Sequence, residues 1–133
     1  VERFTCYHRR SYVCKTGLGD VLIGAAAAIA EYNGVPKVSH IKDKIIEMTH
    51  LNESIYAAGI AASYQSHKMK SGVFLNDDML ANVCKHNVTR LPYELARLAQ
   101  DVAGGILVTL PSEAEFRSAE TGPLLKKYLK GNL

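Results

Sequence analysis

The sequence predicts an all-α protein, an antiparallel bundle of about four helices, and three observations carry that expectation. Apolar residues recur at spacings of three and four over three long stretches, and Gly and Pro signals separate those stretches. No segment alternates with period two for long enough to make a sheet. At 133 residues, 47% apolar and 22% charged, the chain has the composition of a folded globular protein and the length of one core rather than several. A single domain over 1–133 is therefore expected.

The first pattern runs from about Gly17 to Tyr32, with Leu18, Leu22, Ala25, Ile29 and Tyr32 on one face and Asn33-Gly34 as a left-handed stop. Its Ala25 to Ala28 block favours helix and lets neighbours approach closely. The second should start near Pro36, a residue suited to a first helical position, and continue to about Lys70. Ile41, Ile45, Met48, Asn52, Ile55, Gly59, Ala62, Ser66 and Met69 form its seam. Asn52, Gly59 and Ser66 interrupt that seam with small or polar side chains. Such interruptions mark either a tight helix crossing or a face kept for a ligand or another domain, and crossings are the commoner cause.

Asn76-Asp77-Asp78 offers caps for a third helix with the stripe Leu80, Cys84, Val88, Leu91, Leu95, Leu98 and Val102. This places Cys84 in the core. Pro92 inside the pattern removes a backbone donor and predicts a kink, and Gly104-Gly105 ends the helix. The run ILVTLPSEAEF is too short to classify, and Leu124 to Lys130 should make a last short helix.

A formal charge of +3 from scattered basic residues lacks the dense stripe that nucleic-acid binding requires. The longest apolar run, Val21 to Ala30, is half of a bilayer crossing, so no membrane span is expected. Three cysteines without a C-x-x-C pair argue against a disulfide framework or a self-contained zinc site and for a reducing, cytoplasmic setting. The chain starts at Val1 with no signal or transit pattern, and reads as a piece of something longer.

Chemistry concentrates in YHRRSYVCK, where His8, Arg9, Arg10, Tyr12, Cys14 and Lys15 fall within nine residues ahead of the first expected helix. Imidazole, thiolate, phenol and ammonium serve active sites as ligands, acids and bases. On its own, such a segment is more often plain surface. HIKDKIIEMTHLNES likewise carries His40, Glu47, His50 and Glu53, a polar helix face best read as solvated surface or inter-subunit packing.

The segments VERF, YHRRSY, CKTGLGDVLIGAAA, EYNG, HIKDKIIEMTHLNES, LANVCKHN, LPYE and AGGILVTLPSEAEF together change this reading. Over Val1 to about Ser118 they resemble the carboxy-terminal region of the 4-hydroxybutyryl-CoA dehydratase/vinylacetyl-CoA isomerase family, within the 4-hydroxyphenylacetate 3-hydroxylase flavoproteins. The resemblance implies a fold like the acyl-CoA dehydrogenase C-terminal domain, FAD bound between subunits, a homotetramer, an acyl-CoA substrate, and amino-terminal domains outside this chain.

It also implies a four-iron, four-sulfur cluster in the full-length enzyme, with His8 and Cys14 as two of its four ligands and the other two supplied by an earlier domain. Cys6 and Cys84 do not match ligand positions. Tyr12 would handle a proton or a hydrogen bond, and Lys15 would stabilise charge on an enolate or thioester oxygen. Gly104, Gly105, Pro111 and Ser112 would meet the FAD of an adjacent subunit.

The chemistry implied is removal of a β-hydrogen that is not acidic until the flavin transiently oxidises the substrate. One departure stands out: the family pattern implies six residues between the His and the Cys, and here five intervene. In an extended loop one residue is up to about 3.5 Å of chain, more than a metal bond tolerates.

Two other readings remain beside this one. The first is the C-terminal domain of a flavin-dependent 4-hydroxyphenylacetate 3-monooxygenase-type enzyme without a cluster, which the shortened spacing keeps open. The second is a non-catalytic helical oligomerisation module. For the 133 residues alone, absence of the cluster and of turnover is expected.

Overall fold

The computed structural model describes Phe4, Cys6, His8 and residues 11–129. Three long helices dominate: α1 (Ser11–Tyr32), α2 (Ser39–Tyr64) and α3 (Asp78–Val102). Between α2 and α3 a small antiparallel hairpin pairs β1 (His67–Lys68) with β2 (Phe74–Leu75), His67 opposite Leu75. A 3₁₀ turn at Ile106–Val108 follows, then two short helices, α4 (Glu113–Arg117) and α5 (Gly122–Tyr128). The fold is all-α, as the periodicity predicts, and among the described residues the three long helices make up most of the bundle. The fourth pattern, realised as α5, packs mainly on α4.

Successive long helices run antiparallel, and their shared core forms three clusters along the bundle. Ala26, Ala30, Ile41, Met48, Leu95, Leu98 and Val102 fill one end. Tyr12, Ile55, Cys84 and Val88 fill the middle. Cys6, Ala62 and Ala81 close the other end beside the hairpin residue Leu75. Most of the seams read from sequence on α2 and α3 are buried, Ile41, Met48, Asn52, Ile55, Gly59 and Ala62 on one and Cys84, Val88, Leu95, Leu98 and Val102 on the other, whereas Ile45, Leu80 and Leu91 are half-buried, Ser66 and Met69 fall beyond α2, and Ala81 joins the buried face.

Local signals explain the boundaries. The Asp77 side chain caps α3 by accepting from the Leu80 amide at 2.8 Å. Both α1 and α3 stop at glycines in the left-handed region, Gly34 at φ 70° and Gly104 and Gly105 at 79° and 71°. At each end an amide reaches back five residues, Val35 to the Ala30 carbonyl and Gly105 to that of Gln100, so the last carbonyls keep partners.

Several expectations need correction. Helix α1 begins at Ser11, not Gly17, so Tyr12, Cys14 and Lys15 are helical rather than in a preceding loop. Its buried face is Tyr12, Thr16, Gly19, Ala26 and Ala30, whereas Leu18 and Tyr32, placed on the core face by sequence, are 50% and 85% exposed. The helix is apolar nearly all round, which leaves periodicity little contrast to read. Helix α2 ends at Tyr64, well short of Lys70, and the chain beyond it forms the hairpin that turns at Gly72, φ 86°. By length and composition α1 would suffice to cross a bilayer, which the run-length argument missed because Asp20 breaks the run. Of its small residues, Thr16, Gly19, Ala26 and Ala30 pack into the bundle, whereas Gly17, Gly24 and Ala25 are exposed.

Candidate functional site

Helix α1 carries the candidate chemistry in its first turns. Its 100° per residue places Tyr12 and Cys14 about 200° apart around the axis. Tyr12 therefore turns into the bundle, 9% exposed, while Cys14 is exposed on the outer side. The Tyr12 ring lies in the cluster of Ile55, Cys84 and Val88, and tilts at 56° against the Tyr56 ring with centroids 5.9 Å apart. Its carbonyl accepts from the Thr16 hydroxyl at 2.8 Å.

Lys15, one turn on, is exposed and lines a groove of about 530 Å³ between α1 and α3. Leu18, Leu22, Val88 and Leu95 make the groove apolar, and Lys85 stands with Lys15 among its residues. That composition suits an amphipathic anion: two ammonium groups for negative charge over an apolar floor.

His8 is exposed and helical, and stacks on Phe4 with ring centroids 4.0 Å apart. Its Nδ1 lies 3.3 Å from the Phe4 carbonyl oxygen. When Nδ1 carries the proton and donates to that carbonyl, Nε2 keeps a lone pair for a metal, the usual arrangement around a ligating imidazole. The Cys14 thiol is free and accessible. No group of three His, Cys, Asp or Glu side chains converges among the described residues. From the described residues, a cluster would have at most the His8 imidazole and the Cys14 thiolate to draw on.

The helical start of α1 also changes what the shortened spacing means. Along a helix one residue is about 1.5 Å of rise and 100° of turn, not about 3.5 Å of reach.

The four candidate flavin contacts are less gathered. Gly104 and Gly105 are exposed, a Cβ on either would meet nothing within 4 Å, and their backbone role as a helix stop already accounts for them. Pro111 is half-buried, and Ser112 precedes α4 with its hydroxyl making no cap bond. None of the four lines the groove beside Lys15.

Sequence reasoning missed the tie that holds the start of the chain. The Cys6 thiol, 1% exposed, donates to the Asp78 carboxylate at 2.7 Å, and the Asn76 side chain donates to the Cys6 carbonyl at 3.2 Å. Asn76-Asp77-Asp78 is therefore fully used, one residue as a cap and two as anchors for the segment bearing His8. A lone cysteine in the sequence gave no sign of this.

Known proteins share the sequence and the fold of this chain. The profile of the family described as 4-hydroxyphenylacetate 3-hydroxylase C terminal matches residues 1–133. The chain is 60% identical over 119 residues, 89% of its length, to the 4-hydroxybutyryl-CoA dehydratase/vinylacetyl-CoA-Δ-isomerase of Clostridium aminobutyricum, of which it covers 24%. It is 27% identical over 117 residues, 88% of its length and 24% of the relative, to the oxygenase component of 4-hydroxyphenylacetate 3-monooxygenase from Thermus thermophilus.

Among solved structures, an oxygen-tolerant archaeal 4-hydroxybutyryl-CoA dehydratase from N. maritimus aligns with TM-score 0.87 and 82% identity, over 98% of this chain and 26% of that one. The oxygenase component of a 4-hydroxyphenylacetate 3-monooxygenase, complexed with FAD, aligns with TM-score 0.75 and 26% identity, over 93% and 26%. The chain thus spans about a quarter of the length of the relatives it matches.

Proposed function

This chain belongs to the 4-hydroxyphenylacetate 3-hydroxylase C-terminal family, and from that premise we propose that it is the helical domain of an FAD-dependent dehydratase/isomerase acting on 4-hydroxybutyryl-CoA or vinylacetyl-CoA. The observation that carries the proposal is the contrast in likeness, 60% identity to the dehydratase against 27% to the monooxygenase over nearly the same residues. Further domains, outside the quarter of the enzyme seen here, supply the remaining cluster ligands and most of the flavin contacts. The assembly is a homo-oligomer, a tetramer by family, in a cytoplasmic, reducing setting suited to thiol ligands.

His8 Nε2 and Cys14 Sγ would be the two ligands this chain gives the cluster. When bound, FAD supplies a transient oxidation of the substrate and the cluster a Lewis-acidic iron for the departing hydroxyl. The remaining work falls to side chains of α1. Isomerisation takes a proton from the α-carbon of vinylacetyl-CoA and returns one at the γ-carbon, and negative charge gathers on the thioester oxygen in between. The Lys15 ammonium lies against that oxygen and lowers the cost of the charge. The Tyr12 phenol donates a hydrogen bond or the proton returned at the γ-carbon. Gly104, Gly105, Pro111 and Ser112 meet the flavin of a neighbouring subunit, where a bare backbone and a spare hydroxyl approach it closely.

The test is the full-length enzyme purified without oxygen. Expected are a brown preparation with about four irons per subunit and turnover of 4-hydroxybutyryl-CoA. His8→Ala and Cys14→Ala should lose iron, while Tyr12→Phe and Lys15→Met should keep iron and flavin but lose roughly 10²-fold or more in kcat. A yellow, iron-free enzyme that hydroxylates 4-hydroxyphenylacetate would instead place the chain in the monooxygenase branch. A colourless protein that takes up no FAD would make it an assembly module.

A further inference from the structure

Helices α1 and α2 cross on two reciprocal contacts of the same kind. On α2, Gly59 is buried, and a Cβ there would stand 2.5 Å from Tyr12 Cγ and 2.6 Å from both Cδ1 and Cδ2. The Tyr12 ring base therefore lies against the α2 backbone, where any side chain at 59 would collide with it. Seven residues along each helix the roles reverse. Gly19 of α1 receives Asn52 of α2, and a Cβ at 19 would stand 2.0 Å from Oδ1, 2.6 Å from Cγ and 3.0 Å from Nδ2.

Asn52, 1% exposed, donates through Nδ2 to the Thr16 carbonyl at 3.1 Å and to the Asp20 carboxylate at 2.8 Å. Thr16 in turn donates to the Tyr12 carbonyl. The register of α1 on α2 is thus locked one turn beyond Tyr12, and the ring is seated by a residue with no side chain.

A plain helix crossing needs only small residues, and alanine would serve at most of them. The absence of any Cβ at 59 is required by the ring laid over it. A glycine inside a helix also weakens the helix. An aliphatic residue in place of Tyr12 could fill the same cluster without a phenol oxygen to accommodate. Gly59 and Tyr12 are a matched pair whose shared product is the placement of one hydroxyl.

We infer that Gly59 is a positioning residue for the proposed reaction: it seats the Tyr12 ring on the α2 backbone and so sets where the phenol oxygen stands relative to the Lys15 ammonium. This rests on the proton-handling role proposed for Tyr12. It adds a residue on a different helix that touches neither substrate nor cofactor.

The experiment uses the full-length holoenzyme with 4-hydroxybutyryl-CoA and compares Gly59→Ala, Tyr12→Phe and the double variant. Gly59→Ala should keep iron and flavin, hold KM within about twofold, and lose roughly 10²-fold in kcat, the order expected when a reacting group moves by about an ångström. In the Tyr12→Phe background, which keeps the ring but not the hydroxyl, adding Gly59→Ala should change kcat by less than about threefold. An equal loss in both backgrounds would make Gly59 merely structural and overturn the inference while leaving the role of Tyr12 standing. Wild-type kcat in Tyr12→Phe alone would remove the role of Tyr12 and this inference with it. If Gly59→Ala yields no soluble holoenzyme, recovery in the Tyr12→Ala background supports the pairing, and continued failure there overturns it.

Discussion

Asn52 shows how much one side chain can decide in a small bundle. It is the one described buried side chain with an unpartnered polar atom, its Oδ1, which faces Gly19. Rotating the amide would turn its oxygen toward the Thr16 carbonyl and the Asp20 carboxylate, so the orphaned oxygen is the lesser cost. Asn52→Ala should destabilise the protein by about 1–3 kcal/mol, because Asp20 and the Thr16 carbonyl lose their donor. Asn52→Asp keeps the shape but sets a second carboxylate against the first, and should cost more than the alanine at neutral pH. Denaturant titration of both variants checks the order, and an aspartate variant as stable as the alanine one would contradict this account of the amide.

This same residue marks where sequence was and was not informative. Asn52 and Gly59 stood out as interruptions of an apolar seam, and the commoner cause of such interruptions, a tight crossing, is what the structure contains. Which residue each would meet was not legible, because Tyr12 lay ahead of the first expected helix and Gly19 lay off the face read as its core side. The reactive residue types in YHRRSYVCK were legible from composition. The division that turns the Tyr12 ring inward and leaves Cys14 and Lys15 accessible follows only from the helix starting at Ser11.

At the level of the elements, α3 was readable because its apolar and polar faces contrast along its length, α2 was read from its seam although Ile46, Tyr56 and Ile60 lie exposed on its outer side, and α1 was not readable because apolar side chains surround it. Its true inner face holds Thr16 and Gly19, which periodicity assigns to a surface. The ends of α1 and α3 were readable for a different reason: a glycine free to adopt positive φ is a local stop that needs no tertiary partner. The end of α2 depends instead on the hairpin between Met69 and Val73, whose amide and carbonyl pair at 2.8 Å, and no run of four to eight alternating residues announced it.

Helix α2 is also fastened to α3 by a charge pair, Lys44 to Asp101 at 2.8 Å. The hydrogen bond from Lys44, with its positive charge, holds the Asp101 carboxyl below its ordinary value. A carboxyl with a lowered folded-state value stabilises the fold above its unfolded value and loses that contribution as pH falls through the folded one. Both groups reach solvent, so the effect is small and screened by salt. Thermal melts from pH 6 down to about pH 2 should therefore fall slightly more steeply for the wild type than for Asp101→Asn. A steeper fall in the variant would contradict the assigned pair.

Taken as a whole, the molecule divides unevenly. Three helices share a continuous interior, whereas the stretch after Gly105 is mostly half-buried or exposed, with Leu107, Val108, Leu110 and Leu124 at 50 to 80%. Its two short helices lean chiefly on each other, Gly122 set against the Phe116 carbonyl oxygen so closely that a Cβ would stand 2.6 Å away. Little of the burial that protects a backbone is present there. Deuterium uptake in the free chain should accordingly be fast across residues 106–128 and slow near Met48 and Leu95. In the complete enzyme the same stretch should slow markedly wherever another polypeptide covers it. Amides around Phe116 thus become an internal gauge of assembly, readable peptide by peptide without any assay of catalysis.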